Sequence, residues 1–393
     1  MTLIEVTTPK LQKIFNRINY EINKHLQFYI SPLDNDINKI FKQQEADAEN
    51  VKFKRWIVQD ENKKNLGRIA AFITKHYKIN GTNFPIGGIG FFDCIDDQKT
   101  ANFLFDTAKE WLMSHGVEGM DGPIDFHNRD QYWGLLLKGF DEPPLYGMNF
   151  NPPYYKKLFE DYGFKEFYRQ YYYLTHKDSV PQLIFERSEK LEAKGIFHTE
   201  NVDLKNLNKY IDDFVIVYNQ AWAQHNDGKL MDAKKVTQLF KDIKLFFKEF
   251  LAVFAYHKNT PIAMYISIID PNAYFEKFKG KLNIINLMKL FYQVYISPPK
   301  NYKIYSMIFG VIPQFQRLGI ECMLIKHVQM YLEKNGLGNR LEIGWVGEWN
   351  PRCLNLYRKI SNKENRVLCT YRYIFDESKN HFEKHPIMDY CVN

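Results

Sequence analysis

The sequence predicts an α/β (α+β) protein of two tandem lobes, in which each lobe is a mixed, mostly antiparallel sheet flanked by helices. Three observations lead to this prediction. The chain has 393 residues, more than most single domains contain. Hydrophobic residues make up 45% and charged residues 25%, a balance typical of a globular chain and not of a disordered one. Finally, one order of predicted strands and helices runs twice along the chain.

The first lobe is predicted to span residues 1–180. Runs of apolar residues predict its strands, at 3–6, 53–58, 68–74, 87–93 and 167–174. Apolar residues at helical spacing predict its helices, which follow Pro9 and cover 98–115 and 154–162. Gly116 and Gly163 end the last two helices. The segment 119–153, rich in Gly, Pro and aromatic residues, is predicted to be a loop.

The second lobe is predicted to span residues 181–393, with a polar junction at 177–194. The same reasoning predicts its strands at 196–200, 251–257, 262–269, 304–311, 341–346 and 367–375. It predicts helices at 204–222, 234–247, 319–334 and 350–360, the first of them capped by Asp203. The segment 270–303, rich in Lys, Tyr and Phe, interrupts the pattern as an insertion.

The segment from Val311 to Ile320 predicts a strand end, a short loop and a helix start. Backbone N–H groups converge at such a corner, and the helix dipole adds positive potential, so the corner suits a pyrophosphate. Gly319 allows close approach of a ligand to the backbone, and Arg317 adds positive charge. The alternative is an ordinary strand–helix turn in which Gly319 serves only the backbone conformation.

A second informative segment, 350–357, follows the strand predicted at 341–346. Asn350 and Pro351 are typical of a helix N-cap and first turn. Tyr357 then falls on the second turn of the predicted helix. A phenol has a pKa above that of a thiol, so a tyrosine here is suited to protonate a leaving thiolate. The alternative is a core tyrosine at helical spacing.

Together these two segments resemble the GCN5-related N-acetyltransferase superfamily. The phosphate loop of that family reads Gln/Arg-x-x-Gly-x-Gly/Ala, and here Gln316 and Gly319 match while Glu321 stands at the third fixed position. The family's later element is similar to Asn-x-x-Ala-x-x-Leu-Tyr, which matches 350–357 with Cys353 in place of Ala. The motifs cover the second lobe. The first lobe resembles the family in element order only, and its corresponding corner has two acids and no glycine, so we expect a degenerate lobe.

The resemblance implies an N-acyltransferase that uses acetyl-CoA or another acyl-CoA as acyl donor, with direct attack by an amine. It implies that Tyr357 is the general acid. Many family members carry a glutamate base on the strand that corresponds to 304–311, which has no carboxylate here, so Glu348 is the candidate base. The alternative for Glu348 is a solvated loop carboxylate. The resemblance also implies a set of cofactor contacts, namely Phe309, Val311, Gln316, Arg317, Leu318, Gly319, Ile320 and Asn350.

The expected acceptor is a small-molecule amine or a peptide amine. A net charge of +7 is mild for this length, so we expect no DNA partner. The five cysteines lack metal-ligand spacing, which predicts reduced thiols and no metal site. No signal-peptide pattern and no apolar run near the roughly 20 residues that cross a bilayer are present, so we expect a cytoplasmic protein without a membrane span.

Two aromatic segments, 131–155 and 274–295, are predicted either to line a cleft between the lobes or to pack the lobes together. Glu321 and the missing strand carboxylate favour an alternative function, that of a non-catalytic ligand-binding or regulatory protein on the same fold. A third alternative is an aminoacyl-tRNA-dependent transferase, which the mild charge disfavours. The sequence leaves open the identity of the acceptor, the acyl length and the oligomeric state.

Overall fold

The structure, a computed structural model, describes residues 1–77, 82–126, 129–176, 179–222, 230–243, 251–300, 302–336, 340–361 and 363–388. In the N-terminal half the elements are β1 (Thr2–Glu5), α1 (Pro9–Asn23), α2 (Asp34–Ala46), β2 (Val51–Gln59), β3 (Asn65–Thr74), β4 (Ile86–Cys94), α3 (Gln98–Met113), β5 (Gly119–Gly122), β6 (Leu135–Lys138), α4 (Tyr155–Tyr162) and β7 (Lys165–Thr175).

The C-terminal half repeats this order. Its elements are α5 (Gln182–Glu192), β8 (Phe197–Asn201), α6 (Leu207–Ala221), α7 (Ala233–Ile243), β9 (Leu251–His257), β10 (Thr260–Ile269), α8 (Asn272–Phe275), α9 (Ile284–Tyr295), β11 (Ile304–Val311), α10 (Ile320–Asn335), β12 (Leu341–Gly347), α11 (Pro351–Ile360) and β13 (Lys363–Ile374). The predicted α/β fold, a mixed sheet flanked by helices, is confirmed.

The two halves exchange their last strands. The sheet order is β1-β2-β3-β4-β5-β13-β7-β12-β11-β10-β9-β8, with β6 paired to β13. The final strand of the chain, β13, therefore pairs with β5 of the N-terminal half, and β7 pairs with β12 of the C-terminal half. The exchanged strands also pair with each other, antiparallel, at the centre of the sheet. Each half thus completes the sheet of the other.

Buried ion pairs hold this central region together. Arg366 of β13 is fully buried and donates from Nε to Glu342 of β12 at 2.6 Å. Lys303 reaches both Glu342 at 3.0 Å and Glu142 of the N-terminal half at 2.9 Å. Loss of one partner in a buried pair costs about 3–5 kcal/mol, because the remaining charge stays buried without compensation. The contact between the halves is therefore polar and specific at its centre.

Both halves contain a pair of parallel strands that separate. β4 pairs with β5 only from Ile86 to Gly88, and β11 pairs with β12 only from Ile304 to Ser306. The first strand of each pair, β4 or β11, also has a β-bulge on the edge that faces its antiparallel neighbour, β3 or β10. The pairing of β10 with β11 moves from Ile266–Ile308 to Ser267–Ser306, which leaves one extra residue on β11. Bulges of this kind redirect backbone groups next to functional sites.

In the N-terminal half, the segment that follows β5 fills the space between β4 and β5. After β5 the chain continues along β4, where the amide of Ile124 donates to the carbonyl oxygen of Ile89 at 2.8 Å. A Cβ on Gly90 would lie 2.0 Å from the carbonyl oxygen of Ile124, so only glycine fits at this position. In the C-terminal half, the corresponding space lies between β11 and β12 beyond Ser306.

Six of the described α-helices and strands were not predicted, among them α8 and α9 in the segment regarded as an insertion. β5 and β6 lie in the segment predicted as a loop, and α5 lies in the predicted polar junction. β5 is only four residues long, so no periodicity could indicate it, and it exists by pairing with β4 and β13. The segment 34–46, for which no prediction was made, forms α2. The helix predicted at 234–247 is confirmed for α7, and its last residues lie outside the described part of the chain.

Candidate functional site

The loop between β11 and α10 forms a corner of unpaired backbone amides. A short 3-10 turn, Pro313–Phe315, follows β11, and the chain then passes through two left-handed residues, Arg317 with φ 67° and Gly319 with φ 93°. Gly319 is the N-cap of α10, and no side chain caps the helix. Within the described part of the chain, no group accepts a hydrogen bond from the backbone amides of residues 317–321. These amides and the helix dipole can bind an anion such as a pyrophosphate.

The side chains of this loop leave the corner accessible. Gln316, Arg317 and Leu318 are exposed, whereas Gly319 and Ile320 are buried beneath them. Gln316 donates from Nε2 to the backbone carbonyl of Val311 at 3.1 Å, which holds the loop against the end of β11. The structure therefore brings together the predicted phosphate-binding residues 316–320 around one helix N-terminus.

Glu321, the residue that departs from the resembled motif, lies half-buried in the first turn of α10. Burial, together with the charge of Glu321, raises the pKa of the Cys322 thiol to about 11, and the charge of Arg187 opposes this shift. Arg187 belongs to α5, the unpredicted helix that packs against α10. Arg187 and Glu321 thus act on the same thiol with opposite signs.

The space between β11 and β12 opens directly next to this corner. Beyond Ser306 the edge of β11 that faces β12 has no strand partner, while its other edge stays paired with β10 as far as Val311. Phe309 and Val311, two predicted cofactor contacts, lie on this unpaired stretch and are half-buried. The backbone groups of the open edge can bind an extended chain that enters between the strands, as a further strand would.

Tyr357 lies beneath this opening. Its ring contacts that of Tyr173 on β7, with centroids 6.1 Å apart and an interplanar angle of 81°. Its hydroxyl forms a hydrogen bond with Cys353, and burial raises the pKa of Tyr357 well above its usual value, with further contributions from Cys353, Tyr265 and Tyr305. The phenol is therefore protonated at neutral pH and can act as a proton donor.

Asn350 caps α11, as the sequence predicts. Its side-chain oxygen accepts a hydrogen bond from the backbone amide of Cys353 at 3.1 Å, and Pro351 occupies the first turn. This cap fixes the start of the helix and hence the position of Tyr357, two turns along it. A direct contact between Asn350 and a cofactor stays a prediction.

Glu348 lies on the β7 side of β12. Its backbone amide donates to the carbonyl oxygen of Arg169 on β7 at 2.9 Å. Its charge contributes to the raised pKa values of Tyr171 on β7 and Cys369 on β13. The described interactions of Glu348 are thus with β7 and β13, and its role as a base stays a prediction.

Asp130 is a carboxylate at the opening that the sequence did not indicate. It comes from the loop after β5 in the N-terminal half, and it accepts a hydrogen bond from the side chain of Trp345 on β12. Solvent reaches its side chain, yet burial among the surrounding groups raises the pKa of its carboxyl group, while the Trp345 hydrogen bond and the Arg129 charge oppose the shift. Asp130 is therefore an accessible carboxylate with a raised pKa, held next to β12 by Trp345.

Asp130 and Tyr357 approach the opening from opposite faces of the sheet. Asp130 acts on the pKa of Tyr172, whereas Tyr357 packs on Tyr173, and neighbouring residues of a strand face opposite sides. Tyr305 on β11 is near both groups, because Asp130 raises the pKa of Tyr305 and Tyr305 raises that of Tyr357. A substrate between β11 and β12 would therefore have a carboxylate on one side and a phenol on the other.

A stack of aromatic rings on α6 borders the Asp130 face. Tyr218 stacks on Trp222 with ring centroids 4.8 Å apart, and Phe214 stacks on Tyr218 at 5.6 Å. Burial raises the pKa of Tyr218 to about 12, and Asp130 contributes to the shift. Gly310 of β11 lies against Trp222, since a Cβ there would be 2.4 Å from the indole ring. The Asp130 side of the opening is thus aromatic.

The corresponding corner of the N-terminal half is occupied by a carboxylate. Asp97 caps α3 and accepts hydrogen bonds from both the backbone amide and the hydroxyl of Thr100, at 2.8 and 2.6 Å. A second anion at this helix N-terminus would be repelled. The degenerate character of the first lobe stays a prediction.

Two adjacent cavities lie within and beside the N-terminal half. The inner one ends at the buried ion pair of Arg68 with Asp93, whose Nε and Oδ2 atoms are 2.6 Å apart. The outer one lies between the halves, next to Phe275 of the insertion. The two cavities share four lining residues, namely Ile30, Pro32, Tyr132 and Met148.

The two aromatic segments meet at this junction. Tyr146 contacts Phe275, with ring centroids 5.7 Å apart, and its backbone amide donates to Asp270 at 3.0 Å. They therefore pack the halves together and at the same time line the outer cavity. In the described residues no cluster of three or more potential metal ligands is present, and no helix is long and apolar enough to cross a membrane.

No family model matches the sequence. Protein YghO of Escherichia coli (strain K12) is 24% identical over 345 residues, which cover 84% of this chain and 85% of that protein. The bacterial ceramide synthase of Caulobacter vibrioides (strain NA1000 / CB15N) is 22% identical over 312 residues, which cover 78% of this chain and 80% of that protein.

Two solved structures show the fold. The GCN5-related glucosamine N-acetyltransferase region of a fungal multi-domain GH3 beta-N-acetylglucosaminidase has a TM-score of 0.53 at 12% identity, over 95% of this chain but only 38% of that one. A tandem GNAT protein from the clavulanic acid biosynthesis pathway has a TM-score of 0.52 at 7% identity, over 95% and 98% of the two chains. This chain therefore has the fold of the GCN5-related N-acetyltransferases in its tandem, two-lobe form.

Proposed function

From this tandem fold and the geometry of its C-terminal half, we propose that the protein is an N-acyltransferase that moves an acyl group from coenzyme A to an amine. The observation that carries the proposal is the corner of unpaired amides 317–321 at the mouth of the opening between β11 and β12. A phosphate-binding corner beside an unpaired strand edge suits a ligand with a diphosphate and a long arm.

On the donor side, the protein's own groups bind and orient the acyl-CoA. The amides at the start of α10 and the Arg317 guanidinium bind the diphosphate, and the open edge of β11 binds the arm. Acyl-CoA supplies a thioester carbonyl for attack. The extra residue on β11, at Met307, directs a backbone N–H towards the carbonyl oxygen as negative charge develops there.

On the acceptor side, the amine nitrogen attacks the thioester carbon, and the carbon–sulfur bond breaks as the amide bond forms. Asp130 accepts the proton that the amine loses, and Tyr357 gives a proton to the departing sulfur. A base with a raised pKa and a phenol that stays protonated are suited to these two transfers near neutral pH. Asp130 thus takes the role that the sequence suggested for Glu348, which we keep as the competing candidate.

We further propose that the acceptor is a long-chain amine. One relative is named a bacterial ceramide synthase, and a ceramide is a long-chain amine that carries an acyl group on its nitrogen. The aromatic stack of Phe214, Tyr218 and Trp222 along the Asp130 face provides an apolar surface for a hydrocarbon chain.

The first test is titration calorimetry of the full chain with acetyl-CoA and with longer acyl-CoAs. We expect micromolar binding, and we expect the Arg317→Glu/Gly319→Asp double variant to lose at least tenfold in affinity, because it adds two negative charges at the corner. The matched control is Lys205→Glu/Gly195→Asp, which makes the same change of charge at exposed positions elsewhere in the C-terminal half, again at a left-handed glycine.

Absence of binding to every acyl-CoA would instead favour the alternative of a non-catalytic or regulatory protein, and Glu321 at the corner is the observation that supports this alternative. In that case the Glu321→Ala variant should gain binding. Tight, strongly salt-dependent RNA binding without acyl-CoA binding would favour the aminoacyl-tRNA-dependent transferase.

A further inference from the structure

Helix α9 carries its apolar residues on the outside. Only Leu290 and Val294 of this helix are buried. Eight large apolar side chains of the helix and the residue after it are between 48% and 77% exposed, namely Ile284, Ile285, Leu287, Met288, Phe291, Tyr292, Tyr295 and Ile296. A surface helix normally has the reverse pattern, and contiguous exposed apolar patches mark interaction sites.

The inner side of α9 is fixed to the protein. Leu290 and Val294 pack with Phe275 and Phe278 of the preceding segment, and Asn286 donates to the carbonyl oxygens of Lys281 and Phe278. The helix is also capped, because the side chain of Asn283 accepts from the amide of Asn286 at 2.9 Å. The apolar surface is therefore presented by an ordered element in a fixed orientation.

Within the segment that carries this surface, the charges are all of one sign, whereas Glu276 and Asp34 lie beside its N-terminal end. Residues 277–303 contain no aspartate or glutamate. Exposed lysines lie before, within and after α9, namely Lys277, Lys279, Lys281, Lys289 and Lys300. An apolar helix face with basic residues at its border is the pattern of helices that lie in the interface of a membrane with anionic lipids.

We propose that α9 docks this protein on the surface of a bilayer that contains anionic lipids. The apolar side chains enter the headgroup region, and the lysines contact the lipid phosphates. The helix has 12 residues and is about 18 Å long, so it lies on the membrane and does not cross it. The proposal does not depend on the proposed acyl transfer.

Docking through α9 would also bring the junction between the halves close to the membrane. A small cavity at this junction is lined by Phe275 and Asn272 of α8, which precedes α9 directly, and by Tyr146 and Leu33 of the N-terminal half. Both Phe275 and Leu33 belong to the same apolar cluster as the inner face of α9. The docked helix and the contact between the halves are therefore parts of one apolar cluster.

The experiment is sedimentation of the full chain with vesicles of phosphatidylglycerol and phosphatidylcholine in equal amounts. We expect binding that weakens as salt concentration rises, because the electrostatic part is screened. The Ile285→Asp/Met288→Asp/Phe291→Asp variant should bind at least tenfold more weakly. Its matched control, Leu183→Asp/Leu204→Asp/Met330→Asp, changes equally exposed apolar residues elsewhere and should bind like the wild type.

A charge variant tests the basic border. Lys277→Glu/Lys279→Glu/Lys289→Glu should lose binding to the mixed vesicles by about fivefold or more for each lysine replaced. It should bind vesicles of phosphatidylcholine alone as the wild type does. Equal binding of all variants to the mixed vesicles would overturn the proposal.

The remaining outcome concerns a second copy of the chain. If the wild type does not bind vesicles but is a dimer by light scattering, and the aspartate variant of α9 is a monomer, then a protein interface covers α9 and the proposal is wrong. Titration of the same variants with acyl-CoA separates the occupant of α9 from the proposed function. The changed residues lie outside the α10 corner, so the affinity of the variants for acyl-CoA should be unchanged.

Discussion

Two side chains from different halves of the chain, Asp130 and Tyr357, stand on opposite faces of the opening between β11 and β12. Their environments shift both pKa values upward, for the same reason, which is burial. For the carboxyl group the shift produces a stronger base, and for the phenol it guarantees a protonated donor. The proposed roles of Asp130 as the base and Tyr357 as the acid follow from this difference.

Replacement of Tyr357 by Phe should lower kcat by about 10²- to 10⁴-fold, the usual contribution of a positioned general acid. Acyl-CoA affinity should change little, because the phenol is not part of the α10 corner. Single-turnover kinetics and titration calorimetry measure the two quantities. Unchanged turnover, with the thermal unfolding midpoint also unchanged, would leave Tyr357 as a core residue.

Replacement of Asp130 by Asn should remove the rise of kcat with pH. The base acts only when it is deprotonated, so the wild-type rate should increase as pH rises through the raised pKa of Asp130, and the variant should lack this limb. Asp141→Asn, a change in an exposed ion pair with Lys363, is the control. If Glu348→Gln loses the limb and Asp130→Asn keeps it, then Glu348 is the base.

At the scale of elements, the site depends on where strands stop pairing. β11 pairs with β12 over three residues and then continues alone, while β10 supports its other edge. α6 covers the end of β11 through the contact of Trp222 with Gly310, and α10 begins directly after the loop that follows β11. These elements hold the open edge in place although it has no strand partner.

The contact between β11 and α6 predicts the effect of a larger residue at position 310. Gly310→Val should destabilise the fold by about 1–3 kcal/mol, the usual cost of overpacking, because even a Cβ would lie 2.4 Å from the Trp222 ring. Trp222→Ala in the same chain should recover part of this loss. Denaturant unfolding of the two single variants and the double variant checks the coupling, and additive effects would contradict the contact.

At the scale of the whole molecule, the exchange of β7 and β13 makes the two halves one structure. β13 lies between β5 and β7, so the sheet of the N-terminal half ends in a strand from the other end of the chain. Arg372 of β13 forms two hydrogen bonds with Asp121 of β5, at 2.7 and 2.8 Å, and both residues are buried. The repeat in sequence order therefore does not correspond to two separate sheets.

This exchange predicts what happens when the predicted lobes, 1–180 and 181–393, are produced separately. Each should lack a cooperative unfolding transition, because each presents an open sheet edge where the other half belongs. Produced together, the two pieces should associate in equal amounts and bind acyl-CoA. A cooperative, monomeric transition for either piece alone would show that the lobes fold independently.

The sequence alone was sufficient to predict the local features of this protein, namely the positions and ends of most single helices and strands. Apolar periodicity located most strands and helices, Gly319 indicated the start of α10, and Asn350 with Pro351 indicated the start of α11. These features depend on residues near one another in the chain, since capping and periodicity are properties of single elements. The corner and Tyr357 could be predicted for the same reason.

Only the tertiary structure decided which distant segments meet. Asp130 is more than two hundred residues from Tyr357 and lies in an irregular loop, so no spacing could connect them. The strand exchange could not be predicted from the sequence either. The alternation of apolar and polar residues in β7 and β13 would allow these strands to pair with either half. Their partners are selected by the buried ion pairs and by the sheet edges that remain unpaired, which arise only when the chain folds as a whole.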